Sequence, residues 1–159
     1  MGSGLLKWRE TKEFQFIKSK QIKQIADNMN ASLEPTKRYI FQIYQKKEFQ
    51  KNDINNFKQT VPTIESMIGE IERIRKLIME DYRNAVKGTK YDRIVCLNVP
   101  NILSSINKQL KDIKKWMNGL CKQAVTEQNK AFYMPFYTNY NQIQEIQENL
   151  SRISEFVTP

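Results

Sequence analysis

Ile64, Met67, Ile68, Ile71, Ile74, Ile78, Tyr82 and Val86 recur at steps of one to four residues over six helical turns. At about 100° per residue they form one narrow apolar stripe, a period that a strand cannot present on one face. Gly88 follows where a helix-ending glycine belongs. The same period runs through the rest of the chain. From Leu5 to Asn30 it carries Phe14, Ile17, Ile22, Ile25 and Met29, with Ala26 beside them. From Pro35 it carries Tyr39, Ile40, Ile43 and Tyr44, and Asp53 is placed to cap a short turn with Ile54 and Phe57. Between Val99 and Phe132 the stripe is Ile102, Ile106, Leu110, Ile113, Met117, Leu120 and Ala124; after Thr138 it is Ile143, Ile146, Leu150, Ile153 and Val157. Arg93–Leu97 reads as a short helix or packed connector, since a lone strand has no partner. The chain is therefore expected to be all-α: an elongated antiparallel bundle of four long helices plus one or two short ones.

Thr60-Val61-Pro62-Thr63-Ile64 resembles Asn98-Val99-Pro100-Asn101-Ile102 in pattern. The reading preferred is one cap-plus-proline device starting two helices, with a stacked helical-hairpin repeat as the alternative. No low-complexity linker divides residues 5–157, which are taken as a single domain. Met1-Gly2-Ser3-Gly4 reads as a cloning scar, implying a domain excised from a larger protein.

The composition excludes several classes. No apolar run exceeds four residues, whereas a bilayer span needs about 20. Leu5-Leu6 is too short for a signal peptide core. Cys96 and Cys121 stand far apart without a CxxC pair, which fits free buried thiols and an intracellular setting, cytoplasmic or nuclear. The Asn30-Ala31-Ser32 and Asn149-Leu150-Ser151 sequons are what chance supplies in a chain rich in Asn.

With no histidine in 159 residues, Ser-His-Asp, Cys-His and Glu-x-x-His chemistries are all impossible. The five glycines build no phosphate-binding loop. Glu70/Glu72 and Glu80-Asp81 do not face one another on a helix and read as a solvated face. The chain is therefore expected to be no enzyme, with no metal, cofactor or small-molecule substrate.

Charge and aromatics carry the remaining signal. The formal net charge is +9. Residues 99–130 hold six lysines against Asp112 and Glu127. Within them Lys108, Lys111, Lys115 and Lys122 share about 60° of one helix wheel, opposite the apolar stripe, and Lys114 falls outside that row. Nearer the amino terminus, Lys12, Phe16, Lys20 and Lys23 line the side opposite Phe14, Ile17 and Ile25, and Trp8 also misses the main stripe. Such a face suits partner binding. The run Phe132 to Tyr140 concentrates aromatics around Pro135 and reads as a packed corner. The expected function is a protein-protein interaction domain, a scaffold or adaptor, whose two basic faces meet an acidic partner surface. The alternative is nucleic-acid binding through the same lysines to phosphates, and a third is peripheral contact with an anionic membrane.

Overall fold

The computed structural model describes the backbone of residues 19–84, 90–122 and 129–157, with side chains for 20–80, 98–122 and 129–157. Among these residues there are four helices and no strand: α1 Ser19–Lys46, α2 Lys51–Asn84, α3 Lys90–Lys122 and α4 Lys130–Val157. The short extra helices expected from the sequence are absent from this described part. Each stretch that suggested one belongs to a long helix instead. Ile54 and Phe57 lie in the first turns of α2, and Arg93–Leu97 lies inside α3.

The cause is proline. Pro35, Pro62, Pro100 and Pro135 suggested helix starts or an interruption, yet each lies inside a helix. An internal proline costs about 3 kcal/mol through one lost hydrogen bond and a ring clash. Stopping α1 at Pro35 would forfeit more. Ile22, Met29 and Leu33 before it and Ile40 and Ile43 after it share one buried core. Each such side chain contributes about 1.5–3 kcal/mol when buried.

The helix starts lie elsewhere. Asn129 caps α4, its side-chain oxygen accepting from the Phe132 N–H at 3.0 Å. At α2, Asp53 acts from the third helical position rather than as the N-cap, accepting from the Gln50 N–H at 2.7 Å. α1 ends on Lys47, which takes a positive φ of 55° and closes a 2.9 Å bond to the Ile43 carbonyl.

Partner numbers run in opposite directions along each seam. Lys23 meets Ser154 while Asn30 meets Gln147, and Glu65 meets Lys114 while Arg75 meets Ser104. Both pairs are antiparallel. The backbones approach most closely between α1 and α4 and between α2 and α3. Along the first seam, Ala26, Asn30, Ser151 and Ser154 keep side chains short. Asn30 donates to the Gln147 carbonyl and the Ser151 hydroxyl, so this sequon asparagine is engaged across the seam. The two Val-Pro segments bury different positions. Ile64 is fully buried where its counterpart Ile102 is half-buried, and Met67 is buried where Ser105 is exposed.

The core changes character along its length. Phe49, Phe57, Tyr133 and Phe136 are buried near the α1–α2 turn, with Trp116 and Phe132 against them. Towards the opposite end the buried residues are Ile22, Ile25, Ile74, Ile78, Val99, Ile153 and Val157.

Candidate functional site

Three contacts set α2 against α3. The Lys114 ammonium pairs with Glu65 at 2.5 Å, Arg75 donates to the Ser104 hydroxyl at 3.3 Å, and the Cys121 thiol points to the Ile54 carbonyl at 3.7 Å. This register leaves a shallow groove between the helices. It is bordered by Lys111, Lys114, Lys115 and Lys122, with Glu65, Ile68, Asn118 and Gly119 completing it. Lys108, Lys111, Lys115 and Lys122 are all exposed. The basic row of the sequence thus lies on the surface, and three of its four members border one groove, with Lys108 outside that lining.

Two groove residues were not in the row. Lys114 points sideways toward α2, and Glu65 comes from α2 itself. Their meeting depends on how two helices are registered, which no single-helix wheel contains. Lys58 adds to the same region: its charge partly offsets the burial that pushes the Cys121 thiol above its ordinary pKa.

Charges closer than about 8 Å, the screening length at physiological salt, act together on an approaching anion, and Lys111 and Lys115 stand about one helical turn apart. Lysine presents a flexible point charge, suited to carboxylates at varied positions rather than to one bidentate geometry. Among the lining residues only Glu65 carries negative charge, and it already belongs to Lys114.

The amino-terminal face is placed only in part. Trp8, Lys12 and Phe16 lie outside the described residues. Lys20 is exposed. Lys23 is tied into the α1–α4 seam, pairing with Asp27 at 2.7 Å and donating to the Ser154 hydroxyl at 3.3 Å.

The aromatic run forms the first turns of α4. Phe136 packs against Phe49, Phe57, Trp116 and Phe132 with ring centroids 4.9–6.2 Å apart. The Tyr133 hydroxyl donates to the Lys47 carbonyl at 2.6 Å and clips the α1–α2 turn. Phe41 stacks on Tyr140 at 4.6 Å, and Tyr44 lies against Tyr137 at 5.1 Å, on the α1–α4 side of the bundle. The lysine groove belongs to the other helix pair.

Among the described residues there is no cluster of three metal-ligating side chains, and no helix is long and apolar enough to cross a membrane. A scan against protein-family models finds no match, and searches of curated proteins and of solved structures likewise return none.

Proposed function

We propose that this chain is a non-catalytic helical binding module, a scaffold or adaptor domain of a larger intracellular protein, that engages an acidic protein surface. The observation that carries the reading is the α2–α3 groove, where four lysines face one already paired carboxylate. Lysines 108 to 122 steer the partner in, and the amino-terminal face of Trp8, Lys12, Phe16, Lys20 and Lys23 adds a second contact. Steering by such a field raises association rates and makes them depend on salt.

Nucleic acid is the competing anion. Single-strand binders set stacking aromatics beside the phosphate track. Here the stacked rings Phe41, Tyr44, Tyr137 and Tyr140 belong to α1 and α4 and lean on one another. Trp116 and Phe132 do lie beside Lys115 and Gly119, but their rings are half-buried and packed on Phe136. Rings engaged with one another in this way favour carboxylates over bases as the groove's ligand.

The test titrates a labelled Glu- and Asp-rich peptide and a single-stranded oligonucleotide of equal charge. The wild type is compared with a Lys111→Gln, Lys115→Gln, Lys122→Gln triple variant. The expected result is peptide binding at low salt that weakens about tenfold or more in the variant, with helicity unchanged. Tighter binding of the oligonucleotide, lost in the same variant, would replace this reading with phosphate recognition. Binding of neither probe would end it.

A further inference from the structure

Gly119 sits in α3, three residues before its end, where nothing in the fold calls for glycine. A Cβ placed on it meets no heavy atom within 4 Å, and its φ is not in the left-handed region. Alanine at such a helical position would be more favourable by about 0.5–1 kcal/mol. Gly69 in α2 is equally unconstrained. The two differ in place. Gly119 lines the lysine groove, and Gly69 is not part of its lining. Half-buried Ile68 faces the same groove from α2, so apolar surface and a missing side chain adjoin a ring of ammonium groups.

Building on the function proposed above, we infer that the groove receives an acidic peptide segment carrying one apolar anchor. The anchor seats over Gly119 and Ile68, where the absent side chain permits close approach. Carboxylates on either side meet Lys111, Lys115 and Lys122, for which the described residues show no ion pair. Glu65 is an internal competitor: it holds Lys114 as a partner carboxylate would. The rise from Lys111 to Lys122 is about 16 Å, room for about three helical turns of the partner.

The probes are two Glu- and Asp-rich peptides, identical except for a central Leu in one and Ser in the other. Wild type is expected to bind the Leu peptide about tenfold more tightly, the scale of one buried aliphatic side chain. Gly119→Leu should erase that preference while still binding the Ser peptide. Gly69→Leu, a matched control for helix propensity, should keep it. Glu65→Gln should tighten both peptides by about two- to fivefold, because an exposed pair holds Lys114 only weakly. Circular dichroism and Tm on both glycine variants check the fold. Equal binding of the two peptides to wild type, or a preference that survives in Gly119→Leu, would remove the anchor and leave the proposed function standing. Binding of neither peptide at low salt would remove both. If Glu65→Gln leaves both affinities unchanged, Glu65 is no competitor.

Discussion

The two ends of the bundle solve the same packing problem differently. At the end formed by the α1–α2 turn and the start of α4, rings fill the core and hydroxyls tie the backbone. Tyr133 donates to the Lys47 carbonyl, Tyr39 donates to Asp53, and Asn56 donates to the Tyr39 hydroxyl. At the far end, Ile22, Ile74, Ile78, Val99, Ile153 and Val157 fill the core with methyl groups. The backbone defects are spread just as unevenly. Pro35 stands eleven residues before Lys46, Pro62 eleven after Lys51, and Pro135 five after Lys130, all in the aromatic half. Pro100 alone lies nearer the aliphatic end. Oriented rings thus gather where three of the four helix prolines lie. The aliphatic half holds the fourth, and its side-chain bonds run between neighbouring helices, from Lys23 and Asp27 to Ser154 and from Arg75 to Ser104, outside a core of methyl groups.

The largest expected effect tests that contrast directly. Phe136→Ala removes a fully buried ring touching five other rings and should cost about 3–5 kcal/mol. Ile153→Ala, equally buried, should cost about 2–4 kcal/mol. A double-mutant cycle sharpens it. Phe136→Ala with Phe57→Ala should couple by about 0.5–1.5 kcal/mol, as edge-to-face rings do. If urea midpoints gave a smaller loss for Phe136→Ala than for Ile153→Ala, the aromatic end would not be the more cooperative one.

Next in size is a gain. Pro62 is exposed, and an alanine there restores an N–H for the Lys58 carbonyl. Stability should rise by about 1–2 kcal/mol, the recovered helix bond less the greater freedom of the unfolded chain. A fall in Tm on Pro62→Ala would mean that the proline ring itself helps to hold Phe57 against Trp116 and Phe136.

The prolines also mark the limit of what one sequence reveals. The stripe Ile64, Met67, Ile71, Ile74 and Ile78 is buried as its period implies, and so are Ile106, Leu110, Ile113, Met117 and Leu120. Burial follows periodicity because both are set by the same 3.6-residue turn. A proline signals a local cost, however, and whether the helix continues is decided by the apolar residues beyond it. Leu33 and Ile40 keep one phase across Pro35, which was the available clue. Asp53 was recognisable as a capping residue, but its position three residues inside α2 depends on where Gln50 turns the chain. In the groove, the exposed lysines followed from the wheel. The Glu65–Lys114 pair and the alignment of Ile68 with Gly119 came only from the register of α2 on α3.

The last expected effect is a difference in pH response between the ends. Burial pushes Tyr39 up to about 12, with Asp53 adding to the rise and donation from Asn56 opposing it. Tyr133 is raised in the same direction, by burial and then by Glu48 and Asp53, and burial raises Cys121. All three lie at the aromatic end. The unfolded chain releases these protons earlier, near 9 for the thiol and near 10 for the phenols, while the folded chain still holds them. Stability is therefore full below about pH 9 and falls as pH rises through 10 toward 12. Tyr39→Phe should cost about 1 kcal/mol at pH 8, where its bond to Asp53 is lost, and should make the alkaline decline shallower. Urea midpoints at pH 8, 10 and 11 read both. Amide exchange at pH 10 should show protection falling first around the α1–α2 turn, while α2 near Ile74 keeps its own. Loss beginning instead at the aliphatic end would show that the tyrosines do not set the alkaline limit of this fold.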